Sequence, residues 1–358
     1  METKDIEILL GLREILEEQK YFTAQDLKVY NALNQAINEE KWITIKGNHI
    51  LIKDGETIAD AFKRQIGISL QKSNNPKQTT IQHGGNKKLK EIISKVKRDN
   101  QKQITPQQII ENAIKNNPKL SAEAVKQKIE EAEEHNLKVI DSKWQTYEYY
   151  SDGNGHYNKE RKELHKKILN DLFFHANSAK PKDGKKPTYM VLGGRGGSGK
   201  SKFDGLVYDK SKYIVLDADA IKEKLPEYKG YNAFQVHEES SDILNKALKI
   251  ARKKGLNVVL DGTMKSLNST EKKIKTFKDA GYNIEMYYMH LPREKAAERA
   301  IGRFMGQNGR YVPLEILLDM KNNEENFDKL KHYASKWAFY NNDVPSKENK
   351  PILIDKNY

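Results

Sequence analysis

The stretch Met190–Phe203, MVLGGRGGSGKSKF, places five glycines directly behind an apolar run. Gly194, four residues and then Gly199-Lys200-Ser201 match the spacing G-x4-G-K-[ST] of a phosphate-binding loop. The alternative is a flexible surface turn, and the context argues against it. The β-rich TYMVLGG precedes the glycines, and a helix is expected to open at Lys200. Without Cβ atoms in the way, backbone N–H groups can turn inward around phosphate oxygens. Gly194, Gly196, Gly197, Ser198 and Gly199 are therefore expected to form the cradle, with Lys200 on the β- and γ-phosphates and Lys202 at its exit. Ser201 is the expected Mg²⁺ ligand, so the ligand reads as ATP or GTP with Mg²⁺.

The same texture continues downstream. TYMVLGG, YIVLDAD, LNVVLDGT and NIEMYYMHL are short β-rich runs separated by helical patterns. Continuous apolar strands alternating with helices predict an α/β domain, a P-loop NTPase or kinase fold whose parallel sheet is covered by helices. Ligands of such sheets gather at the carboxyl ends of the strands. Three acids fall there. Asp217 and Asp219 follow the second strand, and Asp261 ends the third. Asp219 is the expected general base toward a hydroxyl, whereas Asp217 reads better as a cap for the next helix. Asp261 suits the Mg²⁺ shell or a substrate hydroxyl. Further on, REKAAERAIGRFMGQNGRYVP supplies Arg293, Arg299, Arg303 and Arg310, a source of lid arginines for the charge that develops in phosphoryl transfer.

The rest of the chain says less. Its 358 residues suffice for two domains, and Lys+Arg 63 against Asp+Glu 50 gives a net charge of +13. Such a charge favours polyanionic ligands, but the basic residues are interleaved with acids along helices, so a nucleic-acid partner is the less favoured reading. No cysteine is present, which excludes a disulfide framework and thiolate metal sites and leads us to expect a reducing, cytoplasmic setting. No apolar run approaches the ~20 residues of a membrane span, and no membrane partner is expected. Residues 1–70 read as a mainly helical docking module with a β-hairpin, WITIKGNHILIKDG, whose turn is expected at Gly47-Asn48. Residues 71–146 read as a helical spacer, with helical patterns at about 86–98, 106–116 and 121–136. Residues 147–358 then form the kinase domain. His165 and His175 are expected to be packing or surface residues, because no metal-ligand spacing accompanies them.

As an ordered set, GGRGGSGKS, VLDAD followed by LPEY, HEESS, NVVLDGT, GYNIEMYYMHLP and the arginine tail ending GRYVP resemble the zeta toxin family of P-loop kinases. The resemblance runs from about Thr188 to Pro313. It implies transfer of a phosphate to UDP-N-acetylglucosamine or a related sugar nucleotide. Carried over position by position, it implies Lys200 and Ser201 for ATP and Mg²⁺, Asp219 as general base, and Arg303 and Arg310 around the γ-phosphate. It also implies Asp261, Thr263, His237 and Glu238 on the sugar-nucleotide side. Gly196 stands where the family often has proline, and Asp261 where glutamate is common. Family members act as toxins held by an antitoxin or as domains of larger phage structural proteins. An antitoxin or structural partner at the N-terminal region, in a host cytoplasm or on a virion, follows from that likeness. Two other functions compete: a nucleotide-gated, nucleic-acid-binding assembly ATPase, and a polynucleotide 5'-kinase. A base beside a hydroxyl pocket favours the small-molecule kinase.

Overall fold

The computed structural model describes residues 42–45, 48–51, 87–117, 119–141, 145–153, 155–182, 184–306, 309–344 and 350–358. They fall into two compact units, 1–82 and 83–358. In the first, β1 (Trp42–Ile45) and β2 (Asn48–Leu51) pair antiparallel, and Ile45 lies opposite Asn48. Asn48 is thus a strand residue rather than part of the expected turn. The helices expected over residues 1–70, and the linker that follows, lie outside the described residues.

The second unit opens with three helices, α1 (Lys87–Asp99), α2 (Pro106–Asn116) and α3 (Ala122–Asp141). A capping box starts α2: the Thr105 hydroxyl accepts from the Gln108 amide, the Gln108 side chain accepts from the Thr105 amide, and Pro106 sits where no helical N–H is needed. Next come α4 (Thr146–Tyr150) and α5 (Lys159–Leu172), the latter capped by Asn158.

The sheet contains β3 (Thr188–Gly193), β4 (Ile214–Asp217), β5 (Val258–Asp261), β6 (Asn283–His290), β7 (Lys336–Asn341) and β8 (Ile352–Lys356). Their order is β4-β5-β3-β6-β7-β8, with every neighbouring pair parallel except β7 with β8. Burial on both faces explains the continuous apolar strands: Tyr189, Met190, Val191 and Leu192 in β3 are all at most 1% exposed. The helices α6 (Ala218–Lys222), α7 (Ala233–Lys253), α8 (Leu267–Asp279), α9 (Arg293–Phe304), α10 (Leu314–Leu318) and α11 (Asn323–Leu330) complete the layers. Along α5, Ile168 is buried beside Leu164 and Leu172 against Ile221 and Leu225 of the α6 region and Val236 and Ile243 of α7.

The helices expected as a spacer belong to this same unit. Ile109, Ile110 and Ala113 of α2 and Val125, Ile129 and Ala132 of α3 share a core with Ala297, Ala300, Ile301 and Phe304 of α9. An amphipathic helix needs a partner surface, and α9 supplies one here. The unit therefore begins well before the expected boundary near residue 147.

Candidate active site

Because β3 sits between β5 and β6, its carboxyl end delivers the glycine loop to the middle of the sheet edge. At Gly197, φ is 83°, and a Cβ would collide with the Ala296 carbonyl oxygen, so only glycine fits. Two side chains hold the loop from outside. Asn342 Nδ2 donates to the Ser198 carbonyl at 2.7 Å, and the Asn342 Oδ1 accepts from Lys202 Nζ at 3.2 Å. Arg195, 2% exposed, turns away from the cradle: Nε donates to the Met320 carbonyl at 2.9 Å and Nη2 to Glu324 Oε2 at 2.8 Å. His290 Nδ1 lies 2.8 Å from the same carboxylate. Its partners, Leu291, Met320 and Glu324, lie far along the chain, and no local signal in the sequence marks them.

The helix expected to open at Lys200 is a single 3₁₀ turn, Lys200–Phe203. Asp204 is extended and Gly205 takes φ 78°, which ends the helix after one turn. So short a turn offers little helix dipole, leaving the loop amides and Lys200 as the groups here that could meet an anion. Lys200 Nζ donates to the Gly194 carbonyl at 2.8 Å and lies 3.8 Å from Asp261 Oδ1. The Ser198 hydroxyl is buried without a hydrogen-bond partner.

The three acids converge on this loop. Asp217 is the register partner of Asp261, and Asp261 is the partner of Leu192 just before the glycines. Asp217 accepts from the Asp219 amide at 2.9 Å and caps α6. Asp219 pairs with Lys222 Nζ at 3.0 Å and with Arg310 Nη1 at 3.0 Å. Burial alone would raise its pKa, but Lys222 and Arg310 outweigh it and hold Asp219 below the usual carboxylate value. Burial raises Asp217, with the Asp219 charge adding to it. Burial also pushes Asp261 up to about 6, against the attraction of Lys200. Lys222, buried and aimed at Asp219, was not singled out from the sequence, although its i+3 spacing from Asp219 is the signal for such a contact.

The four arginines divide. Arg310 points Nη1 at Asp219, and its Nε is buried without a partner. Arg303, though exposed, is near enough to feel it: desolvation by the surrounding protein and then the Arg310 charge lower the Arg303 pKa. Arg299 donates instead to the Asn342 carbonyl at 3.3 Å. Arg293 is structural, 5% exposed, bonded to the carbonyls of Asp99, Lys102 and Leu318.

His237 lies exposed in the first turns of α7; the surrounding protein and then the Lys222 charge lower its pKa. Glu238 follows it, half-buried. Glu239, next in HEESS, belongs to a buried network instead: Arg161 Nε donates to it at 2.6 Å, His165 Nε2 lies 2.5 Å away, and Arg161 also grips Glu227 of LPEY at 2.8 Å. His165 is thus a packing residue, and His175 is exposed beside the Tyr213 carbonyl. Thr263 takes its place through its backbone, whose carbonyl accepts from Asn323 at 2.7 Å. The next residue, Met264, holds φ 58°, a strained conformation for a non-glycine residue in the loop after Asp261.

Among the described residues no cluster of three acids or histidines could hold a metal ion by itself, and no helix is long and apolar enough to cross a membrane. The model of the zeta toxin family matches residues 173–357. Toxin zeta of Enterococcus hirae is 28% identical over 135 residues, which is 35% of this chain and 44% of that protein, so the match spans less than half of that relative. Among solved structures, the AvrRxo1-ORF1:AvrRxo1-ORF2 complex with sulphate ions is similar with a TM-score of 0.47 and 18% identity, over 56% of this chain and 69% of that one. The PezAT chromosomal toxin-antitoxin system of Streptococcus pneumoniae gives a TM-score of 0.42 and 17% identity, over 56% of this chain and 81% of that one.

Proposed function

The chain belongs to the zeta toxin family, and from that premise we propose that it is an ATP-dependent kinase that phosphorylates a hydroxyl of a small molecule, a sugar nucleotide such as UDP-N-acetylglucosamine. The observation that carries this reading is the convergence of a lysine, two acids and a lid arginine on one sheet edge: Lys200 is 3.8 Å from Asp261, and Asp219 is 3.0 Å from Arg310.

In this scheme Asp219, ionised at neutral pH, takes the proton of the acceptor hydroxyl. The acceptor oxygen forms its bond to the γ-phosphorus as the bridging bond to the β-phosphate breaks, and ADP leaves. Lys200, Arg303 and Arg310 balance the charge on the transferred group. The loop from Gly194 through Gly196, Gly197, Ser198 and Gly199 presents amides to the phosphates, with Lys202 tethered at its edge. Asp261, Thr263, His237 and Glu238 face the acceptor side. The donor set suits Mg²⁺ carried in on the nucleotide: the Ser201 hydroxyl and the Asp261 carboxylate are hard oxygen ligands, and Mg²⁺ takes one or two of these with phosphates and water. When bound, the ion screens the phosphate charge.

Incubation with Mg-ATP and a panel of sugar nucleotides, nucleosides, NAD and oligonucleotides, followed by mass spectrometry, tests the reading. A gain of one phosphate on a small-molecule hydroxyl, lost in Lys200→Ala, is the expected outcome. Phosphate released to water alone, with every acceptor unchanged, would instead support a nucleotide-driven ATPase.

A further inference from the structure

Helix α3 precedes the family match at residue 173, yet three of its side chains reach the two segments that border the cleft. Lys128 donates to the Phe304 carbonyl at the end of α9 at 2.7 Å, with its ammonium 4.6 Å from the centre of the Phe304 ring. Glu133 accepts from the Tyr311 hydroxyl at 2.5 Å. Asn136 donates to the Tyr231 carbonyl at 3.0 Å. The borders are also tied to each other, since the Tyr311 amide donates to the Gly230 carbonyl at 2.9 Å.

These anchor points flank the lid arginines. Phe304 follows Arg303, and Tyr311 follows Arg310. Gly309 lies so close to the end of α9 that a Cβ on it would collide with the Phe304 carbonyl oxygen. Its neighbour Arg310 has Nη1 on Asp219 and Nε unpartnered. Beneath it, Tyr311 and Leu314 are packed with Val125, Ile129 and Ala132 of α3.

We propose that α3 braces the arginine lid, with Glu133 acting through Tyr311, and Lys128 through the end of α9, as positioning residues that set the reach of Arg310 to the terminal phosphate of ATP. The proposal rests on the kinase reading above. A hydrogen bond from a phenol to a carboxylate restricts Tyr311 and so the backbone of its neighbour Arg310; without it the arginine samples positions from which the γ-phosphate is out of range. Because Arg310 is assigned to the γ-phosphate, ADP binding does not depend on the brace. Loss of the brace is therefore specific to the third phosphate, which a general loosening of the fold would not be.

Calorimetric titration of Mg-ATP and Mg-ADP into the full chain tests this in the parent and in Arg310→Ala, Tyr311→Phe, Glu133→Ala and Lys128→Met. Arg310→Ala is expected to abolish the preference for ATP over ADP. Tyr311→Phe and Glu133→Ala should each reduce that preference about tenfold, the scale of one hydrogen bond to a charged group, with ADP affinity unchanged. Adding Tyr311→Phe to Arg310→Ala should cost nothing more. Glu133 is exposed on a helix, so its alanine variant removes the acceptor and keeps the core intact even if Tyr311→Phe does not fold. If Arg310→Ala loses the preference but Tyr311→Phe and Glu133→Ala retain it, or if ADP affinity falls in step with ATP, the brace is refuted while the kinase reading stands. A parent chain that binds neither nucleotide would overturn both.

Discussion

Replacing Arg195 with methionine removes the buried foundation of the phosphate loop while keeping a side chain of similar length. Glu324, 0% exposed, then keeps only His290 against its charge, at 2.8 Å from Nδ1. Breaking a buried ion pair by removing one partner costs about 3–5 kcal/mol. The remaining imidazole places the expected loss near the lower end, about 3 kcal/mol, or a melting temperature lower by about 6–12 °C for a unit of this size. The pH dependence carries a sign. Burial would raise the Glu324 pKa, but Arg195 and His290 outweigh it and hold the carboxyl below its ordinary 4.5. In the parent this contributes stability that is present above pH 4.5 and lost as pH falls below it. With Arg195 gone, burial dominates and the group is raised, so its ionisation costs stability as pH increases. The gap between parent and variant should accordingly be widest at neutral pH and narrow in acid. Thermal unfolding of Arg195→Met, Glu324→Gln and the double variant, followed across that range, measures it, with the double variant losing less than the two singles together. A variant that melts within about 2 °C of the parent at neutral pH, or a gap that widens in acid, would refute the argument.

Asp219→Asn should lower acceptor phosphorylation at least a hundredfold with ATP affinity close to the parent's, as expected for loss of a general base. Asp217→Asn keeps the side-chain oxygen that caps α6 and should leave stability close to the parent's and turnover much less affected; steady-state kinetics in the reverse order would exchange their roles. Asp261 is raised from 3.8 to about 6, so its ionisation costs stability as pH climbs through that window, and Asp261→Asn should stabilise the nucleotide-free protein by about 2 kcal/mol at neutral pH, with no gain at pH 4. Denaturant titrations at the two pH values decide this. A chain starting near residue 147 should aggregate or melt well below one starting near residue 83, because deleting α2 and α3 uncovers Ala297, Ala300, Ile301 and Phe304; equal melting temperatures and turnover would restore the spacer reading of residues 71–146.

By itself the sequence determined the features whose signals are local. Glycine spacing behind an apolar strand marked the sharp loop after β3, alternating runs marked the parallel sheet, Pro106 marked the start of α2, and an acid at the end of an apolar run placed Asp261 at the carboxyl end of β5. Each depends on neighbours within a few positions, where periodicity and backbone chemistry are decisive. Other features needed the tertiary structure. The one-turn helix after Lys200, the inward Arg195, the division of Arg303 and Arg310 from Arg293 and Arg299, and the bond between Glu133 and Tyr311 all depend on residues far apart in the chain. An arginine on an amphipathic helix has the same local signature whether it meets carbonyls, solvent or a carboxylate. Which of these it meets is settled only when α2 and α3 close over α9 and the strands bring Asp217, Asp219 and Asp261 to one edge.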